Sequence, residues 1–372
     1  MRKKVLFFII TSLVIFSIIP AVNIIWQFKD NKFRIPNFFN IDFIASNINS
    51  LFYKLGISLN PNQAIIGKEG WIFLGDQYGQ AITSRREGIN LSSYNEIITQ
   101  GFYLSLWDKY FKSKGVRSFK VLIGPDKETI YSENLPNWSK FNINEVTDTL
   151  IFNDPLNIFI DPRLAIINAK KNYPGNLYFK IDTHWNELGG WLGYLSLSKE
   201  VSKTIPELNW LEEKNIHIND KKNINKGDLL RFLKINGLIK DHSIEIDIDS
   251  TQPITLEIYN LITKKKSIYN ENIPVEIIED PILVSSKNAL NNTKVLWIRD
   301  SFGTAMSKFM ATTFNEVVHV HKGALNSDKL EKLVDEFKPE IVLVTTVERD
   351  SKRFLLYPPP ATVNLSMNSI FF

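Results

Sequence analysis

The sequence predicts an α/β fold built around a parallel central sheet, and two observations lead there. Four short runs, "SFKVLIG", "NLYFKID", "KVLWI" and "EIVLVTT", are apolar along most of their length, as strands covered on both faces are. Stretches with helical spacing of apolar residues lie between them, the alternation that places helices on both sides of a sheet.

The elements follow in chain order. "MRKK" precedes an uncharged apolar run, residues 5 to 26, close to the ~20 residues a helix needs to cross a bilayer. "SIIPAVN" is a poor cleavage site, which favours an uncleaved anchor over a removed signal peptide. Arg2, Lys3 and Lys4 then stay cytoplasmic and the rest of the chain faces outward, so the expected location is the cytoplasmic (inner) membrane, single-pass, with an extracytoplasmic (periplasmic) domain. The anchor is assigned to residues 1–28, and residues 29–60, with "FKDNKFRIPNFFN", to a membrane-proximal linker. The globular part is assigned to 61–372. It opens at "AIIGKEGWIFLGD", where Lys68-Glu69-Gly70 between apolar runs marks a tight hairpin whose glycine takes positive φ. "SSYNEIITQGFYLSLWDKYFKSKG" carries Ile97, Phe102, Leu106 and Tyr110 at helical spacing and stops at Gly115. A helix with Leu188, Trp191, Leu192 and Leu195 on one face starts after Asn186, a suitable cap. From about 209 to 290, "SIEIDIDS", "ITLEIYNLI" and "PVEIIED" alternate apolar and polar residues, as half-exposed antiparallel strands do, and form a β-rich insertion. A helix through Phe302, Ala305, Met306 and Phe309 follows "KVLWI", and the amphipathic "DKLEKLVDEF" precedes "EIVLVTT".

Composition narrows the function classes. In 372 residues there are 44 basic and 40 acidic side chains, a net charge of +4, too nearly balanced to imply nucleic-acid binding. The absence of cysteine excludes disulfides, cysteine-ligated zinc and thiol nucleophiles. No Walker-type phosphate loop is present. His319 and His321 in "HVH" fall on one strand face, but without the three or four ligands of a zinc site, so no metal and no cofactor is expected.

Ligands of an open parallel sheet gather at the carboxyl ends of its strands. Ser301 stands there, after "KVLWIRD" and at the start of a helix, where its hydroxyl is held on a turn and the N–H groups of Ser301, Phe302 or Gly303 can face a developing oxyanion. The alternative reading is that Ser301 or Asp300 simply caps the helix. His184 stands after "NLYFKI", with Asp182 two residues before it, close enough to bond Nδ1–H and leave Nε2 free to take a serine proton. Read alone, this D-x-H is equally a structural histidine beside a turn aspartate. Trp185 reads as core or pocket wall.

"GKEGWIFLGD", "GPDKETIYSENLP", "DTHWNELGG", "KGDLL", "RDSFG" and "VERD" occur in an order that resembles the AlgX/AlgJ-type SGNH-like proteins, the alginate O-acetyltransferase family, over about residues 64 to 350. The resemblance implies an SGNH-like α/β/α sandwich with triad order Asp182, His184, Ser301. It also implies a serine acyl-enzyme route in which Ser301 accepts an acetyl group, His184 acts as base then acid, and Asp182 orients it. The implied acceptor is a hydroxyl of an exported polysaccharide, and the implied acetyl source is a multi-pass membrane-bound O-acyltransferase. No carbohydrate-binding region follows "VERD", which is more similar to the AlgJ branch. Lys127 in "GPDK" and Arg349 in "VERD" match family positions that bind an anionic sugar or hold the site, with solvated surface charge as the ordinary alternative; Glu348 is a candidate partner of Arg349. A carbohydrate acetyl esterase and a non-catalytic glycan-binding component of an export complex are the competing functions.

Overall fold

The computed structural model describes residues 2–29, 39, 42–83, 88, 91–139, 145–173, 175–235, 237–249, 252–355 and 357–359. The helices are α1 (Arg2–Lys29), α2 (Asp42–Lys54), α3 (Leu91–Ser113), α4 (Lys127–Ile130), α5 (Glu145–Phe152), α6 (Arg163–Ala169), α7 (Glu187–Ser202), α8 (Asp228–Phe232), α9 (Ser307–Thr313) and α10 (Ser327–Phe337). The strands are β1 (Ala64–Ile66), β2 (Ile72–Leu74), β3 (Ser118–Gly124), β4 (Phe159–Ile160), β5 (Ile216–Ile224), β6 (Asp241–Ile248), β7 (Thr255–Asn260), β8 (Lys266–Tyr269), β9 (Ile282–Lys287), β10 (Asn291–Arg299), β11 (Phe314–His321) and β12 (Ile341–Val347).

The central sheet has eight strands in the order β4-β3-β12-β10-β11-β9-β7-β8. The first five are parallel, and β9, β7 and β8 continue the sheet antiparallel. The expected parallel sheet is therefore the core of a mixed one. The β-rich insertion is divided: β7 and β8, followed by β9, extend the main sheet, while β5 and β6 pair separately as a ribbon. Alternating polar residues make β7 and β9 suited to the outer part of the sheet, where only one face is fully covered, and β8 at the edge is exposed throughout.

Side chains alternate across the parallel strands, as the period of two requires. Leu122, Val295, Trp297, Val317, Ile341 and Leu343 point into one core, with Leu188, Trp191, Tyr194 and Leu197 of α7 and Phe309 of α9. Val121, Leu296, Ile298, Val318, Val342 and Val344 point into the other, with Leu104, Trp107 and Phe111 of α3 and Leu330 and Val334 of α10. Three of the four apolar runs, now β3, β10 and β12, were legible as strands because both faces are buried.

The Lys68–Gly70 turn joins β1 and β2 as an antiparallel hairpin, with Glu69 and Gly70 both at positive φ. One sequence expectation is corrected. "NLYFKID" is not a strand: residues 175–186 form an irregular segment with one antiparallel bridge, Tyr178 to Trp185. Its backbone is satisfied from elsewhere: Leu177 N–H donates to the Tyr131 hydroxyl, Lys180 N–H to Asp241, and Lys180 carbonyl accepts from Ile72 N–H. The stretch assigned to the linker contains helix α2. That helix is tied to the globular part by Asn49 Nδ2 donating to Leu233 carbonyl (2.7 Å) and the Tyr53 hydroxyl to Gly70 carbonyl (3.2 Å). The stretch of "FKDNKFRIPNFFN" around Pro36 lies outside the described residues. Helix α1 holds one apolar stretch, Lys3–Ile25, long enough to cross a membrane; that length and composition suit either an anchor or a signal sequence.

Helix α7 meets the turn that begins at Ser301 through a glycine. A Cβ at Gly190 would lie 2.7 Å from both the Cβ and the carbonyl oxygen of Ala305. Gly190→Ala should therefore destabilise: overpacking costs about 1–3 kcal/mol, more than the roughly 1 kcal/mol that alanine's helix propensity returns. A lower urea midpoint is expected, and an unchanged one would mean the two elements separate without cost.

Candidate active site

β3, β10, β11 and β12 are parallel, so their carboxyl ends share one rim, and the residues just beyond them meet there. After β10 come Asp300 and Ser301, where the chain turns into a short 3₁₀ helix, Ser301–Met306, before α9. The turn is pinned by Asp300. Its Oδ1 accepts from Phe302 N–H (3.0 Å), and its Oδ2 accepts from Val347 N–H (2.8 Å) and Lys322 Nζ (3.1 Å). Asp300 is thus the cap, and the Ser301 hydroxyl is left outward-facing.

His184 Nε2 lies 2.7 Å from Ser301 Oγ, and His184 Nδ1 lies 2.6 Å from Asp182 Oδ1. A carboxylate only accepts, so Nδ1 carries the proton and the lone pair on Nε2 accepts from the Ser301 hydroxyl. Asp182 Oδ1 also accepts from His184 N–H at 3.1 Å. Burial acts against charge on the imidazole, but the Asp182 hydrogen bond and the charges of Asp182 and Asp228 outweigh it and raise the His184 pKa above its ordinary value; Arg349 opposes them. Burial likewise raises Asp182, and the bonds and charge of His184 more than reverse this, holding the carboxyl well below the usual range.

The segment carrying Asp182 and His184 has no sheet ladder to hold it. Lys127, 1% exposed, does so from the end of β3: its Nζ donates to the carbonyls of Phe179 (3.1 Å), Lys180 (3.2 Å) and Asp182 (2.7 Å). Burial lowers its pKa to about 8, with Glu128, Asp228 and Asp182 acting the other way. Lys127 is neither a solvated charge nor placed to reach a sugar. Arg349 is half-buried. It donates through N–H to Asp126 Oδ2 (3.0 Å) and through Nη1 to Asp126 Oδ1, and its guanidinium carbon sits 5.9 Å from the centre of the Phe302 ring. Glu348 accepts from Asp126 N–H (2.9 Å) and the hydroxyls of Thr129 and Thr147, so Glu348 and Arg349 both hold Asp126.

Trp185 is buried, and its Nε1 donates to the carbonyl of Phe302 at 2.8 Å, bonding the His184 segment directly to the Ser301 turn. Phe302 itself is buried with its ring 5.3 Å from the imidazole. Its N–H is already donated to Asp300, and that of Gly303 is donated to the Asp300 carbonyl at 3.2 Å. Phe302 is therefore removed as an oxyanion donor. Of the three amides expected to serve, only Ser301 N–H has no acceptor among the described residues.

Sequence reading missed two residues within motifs it had singled out. Arg299, fully buried in "RDSFG", donates through Nη2 to Val275 carbonyl (2.6 Å), through Nε to His319 Nδ1 (3.0 Å) and through Nη1 to Thr304 Oγ1 (3.2 Å). Burial lowers its pKa to about 9. It bolts the Ser301 turn to the insertion; a charge ending an apolar strand was the available signal. The other is Asp228 of "KGDLL". Asp182, His184 and Asp228 bring ligand-type atoms within 4.8 Å of one another, but those atoms are engaged in hydrogen bonds with protein groups. His319 Nδ1 is likewise taken up by Arg299.

A cleft of about 380 Å³ opens over Ser301 and His184, walled by Phe179, Trp185 and Thr304 and, from the insertion, Lys226, Pro274 and Glu276. The arrangement can deprotonate a hydroxyl at the floor of an open cleft, which is the chemistry of nucleophilic attack on an acyl group.

A model of the SGNH hydrolase-like domain, acetyltransferase AlgX, matches residues 64–257. PatB1 of Bacillus cereus, solved with a sulfonyl adduct, is similar at a TM-score of 0.58 and 14% identity, over 80% of this chain and 97% of that one. A DHHW family protein of Eubacterium siraeum gives 0.51 and 16%, over 78% and 95%. These likenesses speak for the fold. No curated protein sequence matches the chain.

Lys127→Met should leave the Phe179 and Asp182 carbonyls without a donor, each worth about 1–3 kcal/mol when buried, while the Lys180 carbonyl keeps Ile72 N–H. The expected result is a clearly lower thermal midpoint with weakened function; a variant as stable as the parent would show that the segment holds itself.

Proposed function

Because the chain belongs to the SGNH hydrolase-like family of the acetyltransferase AlgX, we propose that it is an O-acetyltransferase acting on an exported or cell-surface polysaccharide through an acetyl-serine intermediate. The observation that carries this reading is the continuous hydrogen-bonded chain from Ser301 Oγ through His184 to Asp182. In it Ser301 is the nucleophile, His184 the general base and acid, and Asp182 the orienting carboxylate, within a catalytic unit spanning 61–372.

The steps follow from the geometry. The Ser301 hydroxyl gives its proton to His184 Nε2 while Oγ attacks the acetyl carbonyl of a donor ester. The imidazolium is stabilised by Asp182, and the oxyanion faces Ser301 N–H. Collapse expels the donor alcohol, which takes the proton from Nε2 and leaves acetyl on Oγ. A sugar hydroxyl in the cleft then gives its proton to Nε2 and attacks the same carbonyl. Breaking the Oγ–acyl bond returns the proton to serine and leaves the acetyl ester on sugar. The open cleft favours a polymer chain laid across the rim. The apolar helix α1 supports a location at the outer face of the cytoplasmic membrane, where a membrane-bound O-acyltransferase supplies the acetyl group.

Incubation with an acetyl ester should yield a protein with one added acetyl on Ser301, and acceptor oligosaccharide should discharge it. Acetate as sole product would instead mark an esterase. Ser301→Ala should lower the rate on the order of 10⁴-fold or more with little change in stability; polymer acetylation that survives this substitution would leave only a binding role.

His184 must be neutral to act as base, and its pKa is raised. The rate should therefore climb with pH through a value above that of an ordinary histidine. An acid limb below it would contradict the charge arrangement. Stability carries the opposite sign: the histidine's contribution is present at low pH and is lost as pH rises through the raised value.

A further inference from the structure

A second carboxylate, Asp228, stands beside the Ser301–His184–Asp182 chain, and the reaction above gives it no role. It comes from the insertion, at the start of α8. Gly227 brings it there: a Cβ at that position would lie 2.3 Å from the Ile181 carbonyl oxygen and 3.3 Å from the Asp182 Cβ, so only glycine lets the two segments approach so closely. Asp228 N–H then donates to Asp182 Oδ2 at 2.9 Å. The two Asp182 oxygens are thus divided, Oδ1 serving His184 and Oδ2 serving the insertion.

The Asp228 side chain is itself clamped. Thr183, between the aspartate and the histidine in sequence, donates its N–H to Asp228 Oδ1 (2.9 Å) and its hydroxyl to Oδ2. That fixes Oδ2 4.0 Å from His184 Nδ1. Two carboxylates so near each other repel, and such a pair is held only where cations and donors face it. Lys127 interacts favourably with both, and the imidazole lies against both.

We infer that Asp228 is a positioning residue for the proposed acyl transfer: its amide fixes Asp182, its carboxylate locks Thr183, and its charge adds a second negative neighbour to the imidazole. The inference rests on that reaction for its catalytic meaning. The groups facing His184 are Asp182 and Asp228, which favour the imidazolium, Arg349, which opposes it, and the neutral Ser301 hydroxyl. The groups facing Asp228 are Asp182, His184 and Lys127. Burial and then Asp182 push the Asp228 carboxyl upward in pKa, and the bonds from Thr183 and the charge of His184 act against them. When the imidazole takes the serine proton, the new charge appears beside two fixed carboxylates on its Nδ1 side that need no reorganisation to receive it. The insertion thereby contributes to a proton transfer whose three principal groups all lie outside it.

Asp228→Asn retains size and an acceptor for Thr183 while removing the charge. In the full chain it should shift the His184 imidazole titration to lower pH, as read by NMR with His184→Gln identifying the signal. Read in a Ser301→Ala background, this needs no acyl transfer, so failure of the proposed reaction and failure of this inference are seen separately. With Ser301 intact, the acid limb of kcat/KM for an acetyl ester should move the same way, and kcat should fall roughly tenfold to hundredfold, as for a displaced catalytic group, with KM little changed. A folded variant whose His184 titrates where the parent's does would overturn the inference. If the asparagine variant does not fold, Thr183→Val decides: it removes the hydroxyl clamp but not the charge, and a lower kcat at similar KM is expected, whereas an unchanged kcat would overturn the locking role.

Discussion

A buried ammonium holding three carbonyls is the constraint on which the proton chain depends. Residues 175–186 carry the histidine and its aspartate on a backbone with a single bridge, so its carbonyls are not paired in a ladder, although that of Lys180 also accepts from Ile72 N–H. Lys127 takes three of them at once from a position fixed by the end of β3. Its charge costs solvation, which its lowered pKa reflects, and the neighbouring carboxylates offset part of that cost. An imidazole displaced by about 1 Å would lose its bond to serine, and with it most of the rate.

The serine is held by a different device. Asp300 accepts from two backbone amides and a lysine, so the turn after β10 is fixed to β12 and to the end of β11. Trp185 Nε1 on the Phe302 carbonyl and the close fit of Gly190 on Ala305 then join the two halves. Neither joint uses the reacting atoms, which leaves the hydroxyl and Nε2 free to face the cleft.

The insertion is more than an appendage to the sheet. Its outer strands lengthen the sheet, Val275 is pinned by Arg299 and by Ser307 Oγ, and Asp228 reaches the catalytic aspartate. Cleft wall and proton chain therefore share the same supports, and an acceptor pressing on Pro274 or Glu276 presses on elements tied to both.

The strands β3, β10 and β12, the Gly70 hairpin, the Asn186 cap and the apolar N-terminal helix were legible in the sequence, because each depends on local periodicity, turn geometry or apolar length. The order Asp182, His184, Ser301 was legible through the resemblance alone, since no spacing along the chain brings residues 182 and 301 together. The tertiary structure decided the rest. "NLYFKID" has a strand's pattern, yet its hydrogen bonds go to Tyr131, Asp241 and Lys127. Lys127 and Arg349 look like surface charges until the fold buries the first against carbonyls and pairs the second with Asp126. Phe302 N–H looks available until Asp300 claims it. Hydrogen-bond partners distant in sequence leave no periodic trace, so sequence determined which elements form, and packing decided which polar groups remain free to react.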